Sequence, residues 1–412
     1  MGDNTASMIQ MLSSPDFIEN PYPAFARIRQ QEPICFLQPF NAWLLTRFED
    51  VQTAFTDDRF QFQYEQNQIN RLGPRAIEQD YFKIGREFLV VTDPPKHTQL
   101  KRIFSQPFTP KRVAALTDST KALVDSEIDR FVEQGTVDIV SEFAHRVPLA
   151  IISSLLGIDC SHQEQILKWV AAFYAILFVS PMSDDELKRA NSTAAEARDF
   201  FLASIRRRRA NPDDDFISDL IIANDKDEEP LSDEQIAINA FLLYFAGHDT
   251  QQSQFSLLID SLDRNPAAMA FLARNPDRIR QAAPELYRYD ATGMFMPRTV
   301  TEDLVLNGRR MTKGQNVMCS MTAANRDPEA FDDPDTLRFD RKPANSGGLR
   351  NMTFGTGRHR CLGANLAQAN LPIMLAGVLG RLKNLRIDRA DAQRLPTFEV
   401  RGFARLPVNW DH

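Results

Sequence analysis

The chain has 412 residues, of which 43% are apolar and 25% charged, a balance that buries a substantial core and excludes an intrinsically disordered protein. Its net charge of −7 argues against a nucleic-acid binder, which needs a basic surface or a concentrated basic stripe. Cys35, Cys160, Cys319 and Cys361 lie far apart without a C-x-x-C pair, as in a protein of a reducing compartment.

The amino terminus has neither the basic region nor the apolar run of a signal peptide. No later segment reaches the ~18 apolar residues of a membrane span, so a cytoplasmic location away from membranes is expected. Residues 22 to 56 predict a helix, two short strands around Ile34 and Trp43–Thr46, and a further helix starting near Glu49. Residues 57 to 91 are polar but interspersed with Phe60, Phe62, Tyr64, Tyr81, Phe82 and Phe88, and predict a long loop over an apolar surface. Helices are expected near 97–104, 110–133, 137–157, 161–179, 184–210, 213–224 and 232–264, each bounded by Pro, Gly or capping residues. The last opens on the capping box Ser232-Asp233-Glu234-Gln235 and ends at Asn265-Pro266, about 33 residues or roughly 50 Å of helix. There follow a helix near 276–289, in which Pro284 removes an N–H and predicts a kink, and a strand-and-turn region from 298 to 320. An irregular stretch from 325 to 352, a helix starting just after Cys361 and β-like pieces around 384–408 complete the chain. The fold class is therefore mainly α with a smaller β-rich part.

The segment Phe354-Gly355-Thr356-Gly357-Arg358-His359-Arg360-Cys361-Leu362-Gly363 sets one cysteine between a glycine-rich turn and a helix amino terminus. Glycines let the backbone approach a flat ligand, and the helix amides stabilise a thiolate by hydrogen bonding and dipole. A buried structural cysteine in such a turn is the plain alternative. The pattern F-G-x-G-x-H-x-C-x-G resembles the heme-binding signature of the cytochrome P450 monooxygenases. The resemblance implies heme b held between the long helix and the helix after the cysteine, in one catalytic domain over residues 1–412. The β-containing parts would then lie at about 20–60, 298–320 and 384–408. It also implies that Cys361 ligates the iron, that Phe354 packs by the sulfur beside Gly355 and Gly363, and that His359 reaches a propionate.

Ala246-Gly247-His248-Asp249-Thr250, midway along the long helix, resembles the same family's acid–alcohol motif. Ala246 and Thr250 share a helix face, and the small residues at 246 and 247 leave room for dioxygen. By resemblance Thr250 hydrogen-bonds the bound oxygen and Asp249 feeds protons inward; alternatively, both only bond back to the preceding turn. His248 lies beside that face and reads as a hydrogen-bonded helix histidine. Gln251 and Gln252 stand where many relatives carry hydroxyls.

Glu285 and Arg288, spaced i,i+3, can pair on one helix face, and in the family such a pair is structural. Asp93-Pro94-Pro95-Lys96-His97 and the following Lys101 resemble the turn and helix that bring cations to the propionates, with Arg298 a third such group. Lys101 keeps the charge of the more usual arginine without its fork. Each of these cations is otherwise an ordinary exposed charge.

Family topology implies a substrate pocket that includes Phe82, Phe173, Phe245, Thr292, Phe295 and Phe403, although each aromatic taken singly reads as core. The Phe and Met content of these segments points to a largely apolar small molecule. The chain has no flavin, nicotinamide or iron–sulfur motif, so electrons would come from a ferredoxin or flavodoxin with its reductase. Arg102, Lys111, Arg112, Arg350, Arg358 and Arg360 form a candidate docking patch or an ordinary solvated face. The implied activity is a dioxygen-dependent monooxygenase. Desaturation, oxidative coupling or peroxide-driven oxidation on the same fold, and a heme-based sensor, are the alternatives.

Overall fold

A computed structural model describes residues 2–108, 110–177, 183–341 and 350–411. They form two compact units, each assembled from separated stretches: Met1–Gln61, Ala114–Val147 and Thr250–His412 in the first, Phe62–Val113 and Pro148–Asp249 in the second.

The first unit carries the β structure. Its main sheet runs in the order Ile34–Leu37, Ala42–Leu45, Asn316–Ser320, Phe295–Val300, Phe60–Gln61. Ala42–Leu45 pairs parallel with Asn316–Cys319, while the other neighbours are antiparallel. A core of Leu45, Val51, Phe55, Val300, Val317, Cys319 and Met352 joins this sheet to the helix Phe48–Thr56. A second sheet places Pro407–Asp411 between Thr136–Asp138 and Lys383–Ile387.

That pairing explains a departure from expectation. Residues 137–157 form not one helix but a strand at Thr136–Asp138, a π-helical turn at Val140–Ala144 and a helix at Arg146–Leu155. The partner strand is about 270 residues away in sequence, so no local pattern could announce it. Residues 110–133 also divide, into Pro110–Ala115 and Thr117–Asp129. The helix Ile279–Tyr289 runs through Pro284 without a break.

The second unit is helical. The long polar loop expected over 57–91 instead holds helices Tyr64–Leu72 and Asp80–Gly85, with Phe82 stacked on Tyr64 at a centroid distance of 5.6 Å. Asp184–Ala210 begins at a capping box in which Ser183 N donates to Glu186 Oε2 (2.7 Å) and Glu186 N to Ser183 Oγ (3.3 Å). The longest helix spans Asp233–Asp263, and its Ser232–Gln235 capping box is formed as expected, by bonds of 3.0 and 3.2 Å. Its residues up to Asp249 belong to the second unit and those from Thr250 to the first.

Candidate active site

In the first unit, the cysteine loop is gripped before the cysteine is reached. Met352 N donates to Asn325 Oδ1 (2.6 Å), and Asn325 Nδ2 donates to Thr353 Oγ1 (3.0 Å). Thr353 Oγ1 in turn donates to the Tyr287 carbonyl (2.9 Å). Gly357 turns the chain at φ +68°, where a Cβ would stand 2.3 Å from the Phe55 carbonyl oxygen, so only glycine fits. Cys361 N then donates to the Phe354 carbonyl (2.8 Å), and the helix Ala364–Arg381 begins beyond Gly363. Cys361 is exposed, whereas Cys35 and Cys319 are buried and burial pushes their thiols up to about 12. The thiol of the loop is thus accessible, as is that of Cys160, whereas the two core thiols are buried and unreactive.

Glu285 and Arg288 anchor the chain that leads into this loop. Arg288 is fully buried; its Nε and Nη2 donate to the Glu285 carboxylate at 2.7 and 2.8 Å, and its Nη1 donates to the carbonyls of Asn325 and Pro334. Glu285 also accepts from Arg338 N (3.1 Å) and Arg341 Nε (2.9 Å). One carboxylate therefore collects the helix, the segment 325–341 and, through Asn325, the cysteine loop.

Arg298 is 2% exposed on its strand, with the guanidinium 4.9 Å from the Phe55 ring centroid and Nη1 donating to the Pro297 carbonyl. His359 lies half-buried in the turn Gly357–His359, and a Cβ at Gly363 would meet open space. An exposed thiol, an imidazole, a buried guanidinium and a glycine beside open space match the needs of a flat, anionic, thiolate-ligated macrocycle, so these residues fit a heme.

Thr250 and its followers belong to the same unit. Gln252 Oε1 lies 2.9 Å from His145 Nδ1, and the Gln251 amide lies 3.5 Å from that of Asn370 on the helix after the cysteine. Both glutamines replacing the expected hydroxyls are thereby turned to side chains of this unit.

In the second unit, Ala246 is exposed and Gly247 packs against Ile152, where a Cβ would stand 2.9 Å from Cδ1. Gly247 thus also has a packing neighbour, beside the space for dioxygen that its spacing suggested. His248 is 1% exposed, and its Nδ1 lies 2.8 Å from Asp249 Oδ1. Sequence reasoning set His248 aside; its adjacency to Asp249 was the available signal. His97 is buried and Lys101 half-buried on the helix Lys96–Ser105.

Most of the aromatic pocket candidates are buried side chains. Phe295 stacks on Phe398 at 4.6 Å, Phe403 lies buried under the Arg394 guanidinium, and Phe82 and Phe245 are buried. Thr292 Oγ1 donates to the Arg401 carbonyl (2.7 Å). The side chain of Phe173 lies outside the described residues. Three of the six patch cations are ion-paired, Arg102 with Asp227 (2.6 Å), Arg112 with Asp219 and Arg358 with Asp58, while Arg350 bonds the neutral Gln52 amide and the side chain of Lys111 lies outside the described residues.

Among the described residues no helix is long and apolar enough to cross a membrane. The family model "Cytochrome P450" matches residues 59–286 and 279–409. A putative cytochrome P450 of Xylella fastidiosa is 31% identical over 381 residues, covering 92% of this chain and 93% of its own. A vitamin D(3) 25-hydroxylase of Pseudonocardia autotrophica is 30% identical over 406 residues, covering 96% and 95% respectively. The solved structure of P450BioI, in complex with acyl carrier protein ligated to hexadec-9Z-enoic acid, superposes with a TM-score of 0.86 at 26% identity. That match covers 96% of this chain and 99% of that one.

Proposed function

The chain belongs to the cytochrome P450 family of heme-thiolate monooxygenases, and from that premise we propose that it oxidises a largely apolar small molecule, with electrons from a ferredoxin or flavodoxin and its reductase. The carrying observation is the cysteine loop, in which an exposed thiol follows a glycine-forced turn and its amide is held by the Phe354 carbonyl. Heme b, when bound, would supply an iron that activates dioxygen, made electron-rich by a thiolate ligand.

The chain's own residues hold, orient and protonate. Cys361 would hold the iron through its sulfur, with Phe354, Gly355 and Gly363 shaping its surroundings. His97, Lys101, Arg298 and His359 are assigned to the propionates. Thr250 Oγ1 would hold a proton on the oxygen-binding side of the group, and Asp249, beside the His248 imidazole, would pass protons inward to it. Ala246 leaves space on the Thr250 face. The relatives support an apolar substrate, since one is named for vitamin D(3) and another is solved with a hexadecenoic acid chain.

The test is the absorption spectrum of the ferrous carbon monoxide complex. A strongly red-shifted Soret band, lost in Cys361→His with heme retained, is expected; a histidine-like spectrum in the native protein would overturn the ligand assignment. Product analysis under NAD(P)H turnover then separates oxygen insertion from desaturation or coupling.

A further inference from the structure

Tyr287 packs against the cysteine loop and has no role in the proposed chemistry. It stands between Glu285 and Arg288 on the helix Ile279–Tyr289 and is fully buried. Its ring meets Phe354 edge-on, at 5.6 Å between centroids and 87° between planes. Its carbonyl takes the Thr353 hydroxyl, so Tyr287 grips two successive loop residues, one by backbone and one by ring.

The phenol hydroxyl is buried and has no hydrogen-bond partner among the described residues. A buried hydroxyl without a partner costs stability, and phenylalanine would make the same ring contact without that cost. The ring is therefore the useful part of this side chain. An edge-to-face contact fixes the orientation of its partner as well as its distance. The partner here is Phe354, whose carbonyl holds the Cys361 amide.

We infer that Tyr287 is a positioning residue for the heme-thiolate site: its ring sets the plane of Phe354 and, through it, the shielding of the Cys361 sulfur. The inference rests on the heme-thiolate reading. Loss of the ring frees Phe354 to rotate and admits water to the sulfur, and hydrogen bonding there withdraws electron density from the thiolate.

The test uses heme-loaded full-length protein carrying Tyr287→Leu, Tyr287→Met and Tyr287→Phe, with the ferric/ferrous reduction potential and the ferrous carbon monoxide spectrum as readouts. Tyr287→Leu and Tyr287→Met are expected to shift the potential positive and convert part of the complex to the form without the red shift. Tyr287→Phe is expected to keep both wild-type signatures and to unfold no earlier than wild type. Unchanged potential and spectrum in both aliphatic variants overturn the inference, as does an equal shift in Tyr287→Phe, which would assign the effect to the hydroxyl. If one aliphatic variant fails to retain heme, the other decides. Failure of the heme-thiolate reading would be visible separately, as a native protein without the red shift.

Discussion

Replacing Glu285 by alanine tests the load path into the cysteine loop. The substitution leaves four N–H groups without their acceptor: Nε and Nη2 of Arg288, Nε of Arg341 and the amide of Arg338. Arg288 is fully buried, and removing one partner of a buried pair costs about 3–5 kcal/mol because an uncompensated charge remains. Against a net stability of about 5–15 kcal/mol, that is a large fraction of the total. Glu285→Gln keeps the shape and one acceptor oxygen but loses charge-assisted bonds, with an expected loss of about 1.5–3 kcal/mol. Arg288→Lys retains charge without the fork or the reach to the Asn325 and Pro334 carbonyls, and is expected to resemble Glu285→Ala more than Glu285→Gln. The assay is urea denaturation followed by circular dichroism, with heme content of the purified protein measured alongside. Heme content should fall in the same order as stability, since Asn325 carries the disturbance to Met352 and Thr353. A Glu285→Ala protein within about 0.5 kcal/mol of wild type would refute the argument, because that is the range of an ordinary surface change.

Thr250→Ala should retain heme yet release most electrons as peroxide, with product per NAD(P)H falling roughly tenfold or more; full coupling would remove Thr250 from proton delivery. Alkylation at mildly alkaline pH should label Cys160 alone in heme-loaded protein and both Cys160 and Cys361 after heme removal, read by intact mass, with Cys35 and Cys319 unlabelled until unfolding. Asp260 is buried, which raises its carboxyl, but Arg394, Arg389 and Arg264 outweigh that and hold it below the usual carboxylate range. Its folded-state value thus lies below the unfolded value of about 3.9, so the contribution is complete above that pH and disappears as pH falls through the folded value. Wild type and Asp260→Asn should accordingly differ most in denaturation midpoint near neutrality and converge in acid; a gap that persists unchanged at low pH would contradict this.

The long helices were legible because their ends are written in local chemistry. Ser232 with Gln235 forms the reciprocal bonds that its spacing announces, and Ser183 with Glu186 forms the same box in the structure. The cysteine loop was legible because Gly357 and the helix that follows leave few other structures for that segment. What stayed hidden depended on distant partners. Thr136–Asp138 is a strand only because Pro407–Asp411 lies beside it, and the polar 57–91 stretch forms helices around stacked Tyr64 and Phe82. The contact of Gly247 with Ile152 was likewise hidden, since the motif says nothing of which side chain packs against it. Tyr287 had no signal at all, since a tyrosine inside an i,i+3 pair announces neither its burial nor the ring it meets.

The parallel ladder between Ala42–Leu45 and Asn316–Cys319 has a consequence for the order of events at the ribosome. The early hairpin, rich in Ile34, Leu37, Leu44 and Leu45, leaves the exit tunnel roughly 15–50 s before its neighbour, at ~5–20 residues per second. Throughout that interval its apolar edge is a template for any other extended chain. Expression yield of this protein should therefore respond to synthesis speed and to chaperones that shield strands. A chain stopped short of Asn316 should aggregate through the hairpin rather than persist as a soluble fragment.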